Sequence, residues 1–270
     1  MSMVITPAIL KRIAPTAVPS IIDHLAPSLT QRFPPFMIQT DLRAAHFLAQ
    51  AAHETAGFKT LTEYGGTAYF SRYDGRKDLG NVFPGDGARY RGRGIFQLTG
   101  RDNYRTFGKK IGVALDNSPE RAAEPDISVQ TALHYWNDRR LNQFADKDDI
   151  VTITKRINGG RNGLADRQAK LIRAKAALQG RPAASAVREI QQESAKATTA
   201  SKRAATGTVA VGGGTGGTAT QKPAEGFGAG HLVVFGIFAG AMVYLALRAW
   251  WKRRDAQVLA ADAALGTGED

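Results

Sequence analysis

The chain has 270 residues, a formal net charge of +12 and no cysteine. The missing cysteine excludes a disulfide scaffold, a cysteine zinc site and a thiol nucleophile, so packing alone must hold the fold. The basic balance points to an anionic partner, whether nucleic acid, lipid headgroups or an acidic cell-wall polymer, or else only to solubility.

The N-terminal Met-Ser-Met-Val-Ile-Thr-Pro has no basic segment ahead of a long apolar run, so no cleavable secretory signal is expected. Residues 1–180 read as one folded, mainly helical domain. Asp41 is placed to cap a helix in which Leu42, Ala45, Phe47, Leu48, Ala51 and Ala52 share a face, and Gly57 is placed to end it. Residues 65–94 are rich in Gly, Asp and Arg and lack periodicity. They read as long irregular loops with room for a short hairpin, and a loop of that length in a compact domain is usually functional. Helices are expected again over 103–111, over 149–157 and over 164–178. Another starts at Pro125, a residue suited to a first helical turn, and carries Ile127, Ala132, Leu133, Tyr135 and Trp136.

Residues 181–225 consist largely of Ala, Thr, Ser, Gly, Gln and Lys and contain no aromatic residue. So little apolar surface cannot offset the entropy of ordering, which predicts a disordered tether, with at most a frayed helix over 186–197. Residues 226–251 are the opposite. Their apolar run reaches the roughly 20 residues that span a bilayer, with His231 as its one ionisable group before Arg248. Trp250, Trp251, Lys252, Arg253 and Arg254 form an interfacial border, and Gly236 and Gly240 make a small-xxx-small pair that could support helix pairing. A single C-terminal transmembrane anchor is therefore expected, followed by a short polar tail over 252–270; a buried core helix is the alternative. The trailing cations favour a cytoplasmic C-terminus, which would put the domain outside, yet no leader is expected to export it. The sequence leaves the side of the membrane open.

The chemistry concentrates in three stretches. In the first, Glu54 ends an apolar helical pattern and Glu63 follows beyond Gly57. In a continuous helix nine residues would separate them by roughly 13 Å. Inverting glycoside hydrolysis holds its carboxyls at roughly 6.5–9.5 Å, so Gly57 must turn the chain back. Glu54, at a helix end against apolar neighbours, would be the acid, and Glu63, in a wetter loop, the base. Two ordinary surface glutamates are the bland alternative. His53-Glu54 is not a zinc-protease pattern, because Gly57 stands where the second His is needed. His53 is expected beside Glu54 as a hydrogen-bonding neighbour or on the helix surface, and neither metal nor cofactor is expected. In the second stretch, 85–104, glycines allow close backbone approach, and Tyr90, Gln97, Thr99, Asn103 and Tyr104 suit sugar hydroxyls and N-acetyl groups. Its Arg91-Gly-Arg-Gly94 run would suit RNA, but it leads at once into Ile95-Phe96-Gln97-Leu98, which reads as buried structure, so no nucleic-acid partner is expected. The third stretch is Ile157-Asn158-Gly-Gly-Arg-Asn-Gly-Leu-Ala-Asp166-Arg167.

Together these three stretches, in this order and spacing over about residues 40–175, resemble glycoside hydrolase family 19, which comprises chitinases and related phage and bacterial endolysins. The resemblance implies a lysozyme-like helical fold, two lobes with a central cleft, and an inverting reaction. It implies Glu54 as general acid, Glu63 as general base and Thr99 as a holder of the attacking water. Gln97, Asn103, Asn158 and Arg167 match substrate-contacting or cleft-organising positions, and His53 and Tyr90 are further candidates for substrate binding from the residues themselves. Arg167 would serve equally as a helix anchor, Asn158 as a turn former, and Tyr90 and Tyr104 as core residues. The chain lacks the disulfides of plant members and is shortened over 65–85. Both departures favour peptidoglycan over crystalline chitin.

The expectation is thus a membrane-tethered glycosidase cleaving β-1,4 links of N-acetylated amino sugars, as a phage or prophage endolysin or a virion lytic protein. A chitinase acting on chitin oligosaccharides is one alternative. A membrane-anchored wall-binding or virion structural protein is the other.

Overall fold

The computed structural model describes residues 3–207. They are mainly helical, as the sequence predicts. Helix α1 (Pro7–Ile13) starts where the Thr6 hydroxyl accepts from the Ile9 N–H, with proline at a position that needs no donor. Helix α2 (Pro19–Arg32) buries Ile22, Leu25 and Leu29.

Helix α3 (Asp41–Glu54) is the centre of the fold. Thr40, not Asp41, caps it, accepting from the Arg43 N–H at 3.2 Å; Asp41 lies in the first turn, where a carboxylate suits the helix dipole. The expected single apolar face needs correction as well. Ala44 through His53 are all buried, whereas Leu42 is only half-buried. A helix enclosed on every side needs little amphipathic pattern, and its alanines let neighbouring helices come close.

Residues 65–94 are more ordered than expected. They hold α4 (Thr67–Phe70), single 3-10 turns at Ser71–Tyr73 and Lys77–Leu79, and α5 (Asp86–Arg89). Each piece is too short to leave a periodic trace in the sequence. Asp74 ties them together by accepting from the N–H groups of Gly85 and Gly87, and Arg101 pairs with Asp86. The hairpin is reduced to isolated antiparallel bridges, Thr62 with Arg93 and Arg93 with Leu98.

Four further helices lie close to their expected bounds: α6 (Arg101–Ile111), α7 (Pro125–Asp138), α9 (Ile150–Asn158) and α10 (Leu164–Leu178), with a short α8 (Asn142–Ala145) between α7 and α9. The Asp149 carboxylate caps α9 through the Thr152 N–H at 2.9 Å. Helix α10 packs along α3 and also touches α1.

Helix α11 (Ala183–Gly207) corrects the first part of the tether expectation. Ala186 and Ile190, one turn apart, are buried where α11 packs on α10, and Arg181 pairs with Glu189. That small apolar stripe docks a helix whose average composition reads as tether. The rest of the expected tether, the 226–251 span with Gly236 and Gly240, and the 252–270 tail lie outside the described residues. Among the described residues no helix is long and apolar enough to cross a membrane.

Candidate active site

The turn after α3 places the first acid. Helix α3 ends at Glu54, and Ala56, Gly57 and Phe58 follow at φ of 55°, 80° and 56°. Non-glycine residues avoid this region unless the surroundings hold them there. Here the Phe58 ring is fully buried, the Thr55 hydroxyl accepts from the Phe58 N–H at 2.9 Å, and the Gly57 N–H closes on the Ala52 carbonyl at 2.6 Å. The helix thus stops three residues before Gly57, and the chain turns back.

Glu54 meets a cation that its helix pattern gave no sign of. Its Oε1 accepts from Nη2 of Arg167 at 2.5 Å, and its side chain is 18% exposed. Arg167 is almost fully buried and also donates through Nη1 to Gln50 Oε1 and through Nε to the Asn162 carbonyl at 3.4 Å. Three donors of one planar fork therefore join α3, α10 and the 159–163 loop. Beneath this sits a second pair. His53 Nδ1 meets Asp166 Oδ2 at 2.5 Å, and Lys170 pairs with the other Asp166 oxygen. Burial, together with the nearby Arg167 charge, lowers His53 to about 4, so its ring is neutral. Burial pushes Asp166 upward, but the His53 hydrogen bond and the Lys170 charge outweigh it and hold the carboxyl below the usual range. His53 is 1% exposed, which corrects its expected place among the substrate-contacting residues: it supports α3 from inside.

The second acid is held by different means. The Glu63 N–H donates to the Gly92 carbonyl at 2.8 Å, and the Gly94 N–H to the Leu61 carbonyl at 2.8 Å, so 61–63 runs alongside 92–94. The Glu63 carboxylate accepts from the Gly92 N–H at Oε2 (2.9 Å), and from the phenols of Tyr69 (3.0 Å) and Tyr73 (3.2 Å) at Oε1. Two phenols fill the lone pairs of Oε1, while Oε2 keeps one acceptor position. Burial, chiefly, and the Glu63 charge raise the Tyr73 phenol above its ordinary range, so it stays a donor.

Gly92 is glycine for a local reason. A Cβ there would lie 2.7 Å from Gln97 Oε1 and 3.0 Å from Glu63 Oε2. The same clash distances bring the Gln97 amide and the Glu63 carboxylate together over one backbone position. Gln97 adopts φ of 49°, and the Thr99 hydroxyl donates to its carbonyl at 2.9 Å. Thr99 itself is half-buried on this loop.

Three other candidate residues have structural bonds of their own. Tyr90 is buried against Tyr104 and donates to the Asp116 carbonyl at 2.9 Å; it is a core residue. Asn103 is also buried and donates to the Thr99 carbonyl at 2.7 Å, which fixes the loop that carries Thr99. Asn158 shapes a turn, donating to the Asn162 carbonyl and accepting from the Gly160 N–H, each at 2.8 Å. The sequence reading missed Tyr69, Tyr73, Gly92, Gln50 and Asp166. The i,i+4 spacing of Tyr69 and Tyr73 was the available signal for a shared target.

The two halves of the site meet through aromatic packing. Phe96, on the turn after Gly92, lies 5.5 Å from Phe47 of α3 and 5.2 Å from Tyr135 of α7. Burial lifts Tyr135 to about 12 against the Arg139 charge, with the Glu54 charge adding to the rise. The turn that bonds Glu63 is thereby seated on the helices around Glu54. The site thus holds one carboxylate against a buried cation and one with an open lone pair that can take a proton.

Comparison with known proteins points to one family. A family model described as Chitinase class I, of the glycoside hydrolase 19 set, matches residues 29–163. A glycosyl hydrolase family 19 domain-containing protein of Haemophilus influenzae is 30% identical over 203 residues, covering 64% of this chain and 96% of that one. Acidic endochitinase Q of Nicotiana tabacum is 35% identical over 109 residues, 40% of this chain and 39% of that protein. Among solved structures, chitinase C from Streptomyces griseus superposes with a TM-score of 0.55 at 24% identity, over 67% of this chain and 95% of that one, a likeness of fold.

Proposed function

The chain belongs to glycoside hydrolase family 19 and is a glycosidase, and on that premise we propose that Glu54 and Glu63 act as general acid and general base of an inverting hydrolysis of β-1,4-linked N-acetylated amino sugars. In this reading Glu54 protonates the glycosidic oxygen as the C1–O bond breaks. Arg167 on Oε1 fixes the carboxyl and still allows the proton on the other oxygen. A water on the opposite face bonds to C1 and loses its proton to Glu63 Oε2, the oxygen with a free acceptor position. Gln97 and Thr99 line the water's side. The observation that carries the proposal is the holding of both acids in a fixed setting, Glu54 by Arg167 and Glu63 by two phenols and an amide.

For the substrate, we infer peptidoglycan. The net charge of +12 favours an anionic wall polymer over neutral chitin. The apolar run over 226–251 supports a membrane-tethered lytic role, as a phage or prophage endolysin or a virion component. Chitin oligosaccharides are the second reading, favoured by relatives named as endochitinases.

Release of reducing ends from purified peptidoglycan and from an N-acetylglucosamine hexamer tests both. Wild type is expected to cleave peptidoglycan, and Glu54→Gln to lose about a thousandfold with its circular dichroism unchanged. Wild-type-like lysis by that variant ends the assignment. Flotation of the full chain with lipid vesicles, lost on deleting 226–251, is the expected result for the anchor.

A further inference from the structure

Two arginines stand beside the Glu63 clamp without a carboxylate of their own. Arg72 lies over the Tyr69 ring, 4.3 Å from its centroid, and its Nε donates to the Tyr69 carbonyl at 3.1 Å. Arg91 lies 5.6 Å from the Phe70 ring centroid, and its Nη1 donates to the Ala88 carbonyl at 2.9 Å. Tyr69 and Phe70 meet edge to face at 5.1 Å, so both guanidiniums flank one aromatic pair. Arg91 also directly precedes Gly92, whose N–H holds Glu63.

Other arginines of this region are occupied: Arg89 and Arg93 spend their guanidiniums on backbone carbonyls and tyrosine hydroxyls. Arg76 pairs with Asp78, and Arg101 with Asp86. Among the described residues Arg72 and Arg91 enter no ion pair. Glu63 touches the hydroxyl of the ring under Arg72, but its oxygens already accept from Tyr69, Tyr73 and Gly92. An anion arriving at this aromatic pair meets cations that no carboxylate has neutralised, and is attracted by each. Each guanidinium is steadied by a ring and by one carbonyl, which leaves its remaining N–H groups to receive a planar anion.

We propose that Arg72 and Arg91 form a receiving site for a carboxylate of the substrate: one on the stem peptide that an N-acetylmuramic acid unit carries on its lactyl ether, beside the sugar on which Glu63 acts. The proposal rests on the peptidoglycan reading above. N-acetylglucosamine polymers carry no such group. The pair therefore adds binding to one substrate and nothing to the other, and works as a specificity determinant.

The test is kcat/KM of the full chain and of Arg72→Gln, Arg91→Gln and the double variant. The substrates are peptidoglycan stripped of secondary wall polymers and an N-acetylglucosamine hexamer. Stripping removes polymer phosphates as the anion. The expected result is a loss of about tenfold on peptidoglycan in the double variant, mostly in KM, with the hexamer rate retained. Equal losses on both substrates would show that the arginines only brace Tyr69 and Phe70, and no loss on either would show no role; each overturns the proposal. A wild type that cleaves the hexamer but leaves peptidoglycan intact removes the underlying reading instead, and this site with it.

Discussion

Arg167 on α10 reaches Glu54 at the end of α3 with a 2.5 Å hydrogen bond between residues 113 positions apart in the chain. The same guanidinium holds Gln50 and the Asn162 carbonyl. A lysine keeps the charge but cannot make three bonds in one plane. Arg167→Lys is expected to lower kcat by about tenfold or more, and to lower the melting temperature by several degrees, because a buried fork is left partly unmatched. Wild-type kinetics in that variant would remove Arg167 from the site.

Tyr69 and Tyr73 hold one oxygen of Glu63. Hydrogen bonds to a charged group contribute about 1.5–3 kcal/mol each. Both phenols are partly exposed, which favours the lower end. Tyr69→Phe and Tyr73→Phe are each expected to reduce kcat about tenfold with KM nearly constant. The double variant is expected to lose more than either, with its melting temperature lower by several degrees. A change confined to KM would place the phenols on substrate and not on the base.

Two glycines are read as space for a neighbour. At Gly163 a Cβ would lie 2.2 Å from His53 Cε1, and φ is 66°. Gly163→Ala is expected to cost stability by more than about 1 kcal/mol, seen as a lower melting temperature. At Gly92 the added carbon would meet the Gln97 amide and the Glu63 carboxylate. Gly92→Ala is expected to cut activity far more than stability. Reversal of that pattern would contradict the placement of Gln97 and Glu63.

His53 ties stability to pH. Its folded value is lowered to about 4, chiefly by burial, whereas an unfolded chain takes up that proton near the ordinary histidine value of about 6.5. Between these values the unfolded state holds more protons. Acid therefore favours unfolding through that window, and stability is full only above it. Melting temperature is expected to fall from pH 6.5 to pH 4, and less steeply in His53→Asn. His46, also lowered by burial, leaves some slope in the variant. Equal slopes would mean that His53 titrates normally in the folded protein.

Much of this was legible in the sequence. The helices over 103–111, 149–157 and 164–178 announce themselves through periodicity and end signals, and the Gly57 break between Glu54 and Glu63 follows from distance alone. Legibility failed where the deciding contact is remote. Arg167 and Glu54 are joined across most of the domain, so the environment of Glu54 could not be read from its helix. The phenols on Glu63 come from turns too short to show a period. Tyr90 and Asn103 have side chains as suited to packing and loop bracing as to sugar, and burial alone separates those uses. Helix α11 depends on Ala186 and Ile190 finding α10, which an average composition conceals.

The account requires two acids working from opposite faces of a sugar ring, with water delivered on the Glu63 side. Proton NMR of the first products from an N-acetylglucosamine hexamer, recorded before mutarotation, reads that arrangement directly. The new reducing end is expected as the α anomer, inverted from the β linkage. A β anomer formed first would mean that a covalent or substrate-assisted path operates, and Glu63 could not be the base that activates water.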